Sequence, residues 1–164
     1  MEIDQEKKLV IGIGAESRGD DAVGLLVARR LRGKTPAGVT IREATGHIAA
    51  FIEDWDRASA VFLVDAARSG SAPGTLHRID VAEKALPSKG LRWSTHGAGI
   101  GEAVELARAL GRLPRRLTIY GIEGKSFEAG KPLSMEAERG ARLAVDAILQ
   151  ELTRDERGRC TGGV

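Results

Sequence analysis

At 164 residues the chain suits a single domain with a sizeable core. Hydrophobic residues at 42% and charged residues at 29% are ordinary for a globular protein, whereas aromatics at 4% are too few for stacking on nucleic-acid bases. A formal net charge of +2 gives no basis for a polyanion partner, and the lone Cys160, in a Gly- and Arg-rich tail, excludes an internal disulfide and reads as a solvated thiol.

The opening MEIDQEKK is charged and precedes only a short apolar run, so neither a secretory signal nor a membrane span is expected and the setting is read as cytoplasmic. Residues 9–14, LVIGIG, form a continuous apolar run stopped by glycines, as in a parallel strand covered on both faces, and are read as the central strand. After the loop AESRGD, residues 21–31 place Val23, Leu26, Val27 and Leu31 at helical spacing, with acids at the start and Arg29 and Arg30 near the end, in the sense the helix dipole favours. Residues 39–43 read as a second strand and 48–55 as a short helix.

Residues 60–64, AVFLV, are another buried strand ending in Asp65. Residues 75–81 alternate apolar and polar, which suits an edge strand with one solvated face and an antiparallel run. Residues 100–110 predict a helix, 117–120 a strand, and 134–152 a long amphipathic helix for which Ser134 and Glu136 suit the start. From Thr153 the composition turns to Arg, Gly and Asp, so the reading is one α/β domain over 1–152 and a disordered tail over 153–164. The alternation predicts a doubly wound, mostly parallel five-stranded twisted sheet with helices on both faces, and ligands bind such sheets outside the carboxyl ends of the strands.

Three loops at those ends carry polar chemistry. Gly12-x-Gly14 opens like half of a dinucleotide fingerprint, but Ser17 stands where the third glycine belongs. Asp20 and Asp21 set like charge where a pyrophosphate would sit, which leaves a nucleotide only Glu43 as a candidate ribose ligand. One of the two adjacent acids can cap the helix while the other projects into the crevice as a metal ligand or general base. Asp65 ends its strand ahead of small residues, and His96 lies in Ser94-Thr95-His96-Gly97 before a helix. Singly, each has an ordinary structural account. Together, two carboxylates and an imidazole at one sheet edge make a site for zinc, nickel or a similar divalent ion.

With those residues in hand, the chain resembles the hydrogenase maturation endopeptidases. The resemblance runs through Gly12-x-Gly14 to Asp20-Asp21-x-x-Gly24, Leu63-Val64-Asp65-Ala66 with Pro73-Gly74-Thr75, Ser94-Thr95-His96-Gly97, Tyr120-Gly121-Ile122-Glu123 and Leu133-Ser134. It implies an endopeptidase that removes the C-terminal extension of a nickel-iron hydrogenase large-subunit precursor after nickel insertion, with no nucleic-acid or membrane partner. It also implies that Asp21, the second of the acidic pair, joins Asp65 and His96 as both the metal-binding and the catalytic set, with Asp20 as a supporting residue. The nickel would be supplied by the substrate, and zinc or cadmium would stand in for it in a crystal.

The chain departs from the family pattern at Ala15, where Asn is usual, and in Glu43-Ala44-Thr45-Gly46-His47, where paired glycines are usual. His47 is read as a solvent-facing loop residue, His77 as structural or solvent-facing, and Glu16 and Arg18 as either substrate contacts or solvated charges. Trp55 and Trp93 are read as core residues rather than a docking surface. The competing readings are a non-catalytic assembly chaperone or binding module that recognises the metal-loaded precursor, and a nucleotide-binding enzyme.

Overall fold

The computed structural model describes residues 7–81, 92–93 and 99–160. Its order is β1 (Lys8–Ile13), a 3-10 turn (Gly19–Ala22), α1 (Val23–Leu31), β2 (Val39–Ala44), a second 3-10 turn (Ile48–Phe51), α2 (Ile52–Trp55), β3 (Ala60–Arg68), β4 (Leu76–Asp80), β5 (Arg92–Trp93), α3 (Ile100–Ala109), β6 (Arg116–Glu123) and α4 (Met135–Cys160). The main path through the sheet is β2-β1-β3-β6-β4. The first four strands are parallel, β4 closes the edge antiparallel to β6, and β5 pairs antiparallel with the end of β3. The doubly wound five-strand expectation and the antiparallel edge are both met.

Alternation of side chains along β1 divides the core in two. Leu9, Ile11 and Ile13 face α3 and the Ile48–Trp55 segment, where Trp55 is fully buried and Trp93 packs on the margin. Val10 faces the opposite layer with Val23, Val27 and Leu31 of α1 and Ala141, Ala144 and Ile148 of α4. A strand with both faces buried has no polar alternation to show, which is why LVIGI reads as it does. Gly12 on the α1 side lets the helix cross the strand: a Cβ there would lie 2.6 Å from Ala28 Cβ.

Two expectations are corrected. The middle of the sheet is β3, not β1, which lies second from the edge; both strands are equally apolar, so pattern alone does not rank them. The second concerns the C-terminus, where α4 passes Leu152 and continues to Cys160. Two acids near that end are paired with the sheet: Asp155 accepts from Lys8 Nζ (3.2 Å) and Arg116 Nη1 (2.6 Å), and Glu151 from Arg78 Nε (2.6 Å). These contacts tie the helix to the amino ends of β1 and β6 and to β4. Among the described residues, no helix is long and apolar enough to cross a membrane.

Candidate functional site

At the carboxyl end of β1 the chain packs closely against itself. A Cβ at Gly14 would collide with the Asp21 carbonyl oxygen, and one at Gly24 with those of Ile13 and Val64. These two glycines let the 3-10 turn and the first turn of α1 sit directly on the ends of β1 and β3. Ala15 N donates to Asp21 O (3.1 Å), so main-chain contacts hold the loop although Ala15 has no polar side chain. Asp20 and Asp21 thus lie on the 3-10 turn ahead of α1, not in its first turn, and both are buried, at 0% and 2% exposure.

Burial treats the two carboxylates differently. Asp20 accepts from the amides of Lys125 (2.7 Å), Ser126 (3.2 Å) and Ser134 (2.7 Å) and from the Ser134 hydroxyl (2.8 Å). Asp20 N and Gly19 N donate in turn to Ser126 O (2.8 Å) and Lys131 O (3.0 Å), so the first loop is stitched to the loop between β6 and α4. Asp21 Oδ1, by contrast, is buried with no hydrogen-bond partner among the described residues. A buried carboxylate oxygen without a donor costs free energy, which sets Asp21 apart from the fully bonded Asp20.

Asp65 lies inside β3, which runs on to Arg68, rather than at its end. In the parallel register Gly12 pairs with Val64, so Asp65 stands level with the last residue of β1. It is fully buried, and its Oδ1 accepts from Ala66 N (2.8 Å). The third expected member, His96, lies outside the described residues; the chain is described up to Trp93, which pairs with Ala67 two residues beyond Asp65. Among the described residues, no three acidic, histidine or cysteine side chains group closely enough to hold a metal ion. Asp21 and Asp65 nevertheless emerge at the same sheet edge, one from the turn packed on β3 and the other from β3 itself.

The same edge holds a constellation that the sequence did not reveal. Glu123, at the end of β6, accepts from Ser69 N (2.8 Å), Gly70 N (3.0 Å) and Ser69 Oγ (2.8 Å), and its Oε2 lies 3.2 Å from His77 Nε2. Burial alone would raise its pKa, but the bonds from Ser69, His77 and Gly70 outweigh it and hold the carboxyl below the usual glutamate range. Serine and glutamate meet the same imidazole nitrogen, Nε2, so this is not a nucleophile-base-acid relay. It fastens the loop after β3 to β6, and His77 is structural. The signal for Glu123 was its place after Tyr120-Gly121-Ile122; its partners come from other elements.

The remaining polar candidates lie nearer the surface. Glu43 accepts from Arg29 Nε (2.7 Å) and Arg32 Nη2 (3.0 Å), one on each carboxylate oxygen, which leaves it poorly placed as a ribose ligand. Glu16 pairs with Arg29, Arg18 is half-buried, and His47 is exposed.

A mostly parallel, doubly wound domain with buried carboxylates on the turn after β1 and within β3 belongs to the α/β class whose chemistry lies at the carboxyl edge of the sheet. A family model described as HycI, hydrogenase maturation protease, matches residues 26–151, and the chain belongs to that family. Among its relatives, the hydrogenase expression/formation protein HoxM of Azotobacter vinelandii is 26% identical over 151 residues, 87% of this chain and 72% of HoxM. Among solved structures, the hydrogenase maturating endopeptidase HybD of E. coli superimposes with a TM-score of 0.71 at 22% identity, covering 91% of this chain and 93% of that one. The maturation protease HybD of Thermococcus kodakarensis gives 0.72 at 24%, covering 89% and 99%. At these identities the structures show the shared fold. The chain is a hydrogenase maturation endopeptidase, a hydrolase that processes a large-subunit precursor.

Proposed function

We propose that this endopeptidase removes the C-terminal extension of a nickel-iron hydrogenase large-subunit precursor after nickel has been inserted, and that Asp21, Asp65 and His96 meet the metal. The carrying observation is the contrast between two adjacent buried acids: Asp20 receives four hydrogen bonds, while Asp21 keeps a buried oxygen with no donor among the described residues. The family match begins beyond Asp21, so the assignment of that residue stands on this geometry.

The donor types fit the group. Two carboxylates and an imidazole suit nickel, and zinc or cadmium would occupy the same set. Nickel carried by the precursor is part of the substrate, and a few protein ligands with open positions are what sharing an ion with a partner requires. A divalent ion at this edge supplies Lewis-acid polarisation of a carbonyl and acidifies a bound water. The chain's own residues do the rest: Asp21 and Asp65 offer anionic oxygens at a dry sheet edge, and Asp20 keeps Asp21 from being satisfied internally by taking up the donors of the neighbouring loop. A cytoplasmic site of action belongs to the same proposal.

The test mixes the protein with a nickel-loaded large-subunit precursor and follows loss of the extension by mass. Wild type is expected to cut, and Asp21→Asn and His96→Ala are expected not to. Stable binding of several loaded precursors without cleavage would favour the assembly-chaperone reading instead.

A further inference from the structure

Ser134 is the residue just before α4, and its hydroxyl does two things at once. It accepts from Ala137 N (3.1 Å), capping the helix, and it donates to Asp20 Oδ2 (2.8 Å). A single hydroxyl can serve both roles because it carries one proton and two lone pairs. Its own amide donates to the other oxygen of the same carboxylate, Asp20 Oδ1 (2.7 Å). Asp20 is thereby gripped at both oxygens by one residue 114 positions away, and the next residue along the chain is Asp21.

We infer that Ser134 is a positioning residue for the metal-facing carboxylate of Asp21, acting through Asp20. The inference rests on the reading of Asp21 given above. The path is short and entirely buried or half-buried: the α4 cap, the Ser134 hydroxyl, the Asp20 carboxylate, then the 3-10 turn that carries both acids. The turn lacks a side-chain cap of its own, since Arg18 at its cap position makes no such bond, so its orientation is set from outside, by the loop between β6 and α4. A backbone hydrogen bond from Asp20 N to Ser126 O fixes one side of the turn, and the Ser134 contacts fix the other. Partners that orient a ligand in this way commonly carry 10- to 100-fold effects on metal affinity or activity.

The experiment uses the full chain and three variants. Ser134→Ala removes the hydroxyl; Ser134→Gly also removes it but keeps a tolerated helix N-cap, so the loss of the Asp20 contact is separated from the loss of the cap. Ser134→Thr restores a hydroxyl. Cadmium alone is titrated calorimetrically, kcat and KM are measured on nickel-loaded precursor, and melting temperature is recorded in parallel. Alanine and glycine variants are expected to bind cadmium about tenfold more weakly and to lose kcat by about the same factor, with KM within twofold and with threonine restoring both. If glycine and alanine variants melt lower but keep cadmium affinity and kcat within twofold of wild type, Ser134 is a helix cap only. Failure of threonine to rescue overturns the inference equally. A wild-type protein that binds no cadmium overturns the reading of Asp21 itself, a result visible before any variant is made.

Discussion

Replacing Gly24 by alanine tests whether the close approach of α1 to the strand ends places the site. A Cβ there falls well inside van der Waals contact of the Ile13 and Val64 carbonyl oxygens and 2.8 Å from the Ile13 nitrogen. All three are strand backbone atoms, so no rotamer can relieve the overlap and the helix must lift. Overpacking of this kind costs about 3 kcal/mol, the upper end of the usual range, because nothing flexible can yield. Alanine returns about 1 kcal/mol as the better helix former. The net loss of about 2 kcal/mol corresponds to a fall of about 4–8 °C in melting temperature for a domain of this size. Asp21 precedes Gly24 by less than one helical turn, so the lifted helix carries the acid with it, and displacements of about 1 Å in such constellations can cost about 100-fold in function. Calorimetric melting and cadmium titration read both effects. A variant that melts higher than wild type, as helix propensity alone requires, with cadmium affinity intact, would refute the packing argument.

Three further outcomes follow from the same contacts. Glu123 has a lowered folded-state pKa, so its contribution to stability is present above the ordinary glutamate value of about 4.3 and is lost as pH falls through the lowered one; urea midpoints of wild type should drop on acidification below about pH 4, and Glu123→Gln should flatten that dependence. Truncation after Leu152 removes Asp155 and leaves Lys8, at 5% exposure, buried without that partner. The cost expected is about 2–3 kcal/mol in urea unfolding, discounted from the fully buried case because Asp155 is partly exposed, whereas loss of a disordered tail would cost nothing. Asp21→Asn should raise the melting temperature of the metal-free protein by about 2–4 °C, since it neutralises a buried acid oxygen that lacks a donor, while weakening cadmium binding.

Much of this architecture is legible in the sequence because burial on one or two faces leaves a mark on residue order. LVIGI and AVFLV read as covered strands, the alternation over residues 75–81 reads as a solvated edge, and Gly12, Gly14 and Gly24 frame a loop with two acids. What was not legible depends on partners distant in the chain. The acids of the pair look alike in sequence; they differ because the amides of Lys125 and Ser134, 105 and 114 positions on, and the Ser134 hydroxyl donate to Asp20. Glu123, His77 and Ser69 come from two strands and a loop, so their cluster exists only in the fold. The charged end of α4 mimics a tail until Lys8 and Arg116 are seen opposite Asp155. The resemblance singles out Asp21 by position, and the hydrogen bonds add that its neighbour Asp20 is the one bonded to the loop before α4.

Asp21, not Asp20, is the carboxylate proposed to meet the metal. Crystals soaked in cadmium and examined by anomalous scattering decide it: a peak is expected within coordination distance of Asp21, with Asp65 and His96 at the same ion and Asp20 still bonded to Ser134. An ion seated on Asp20, or a site edge that takes up none while cadmium binds elsewhere on the molecule, would contradict it.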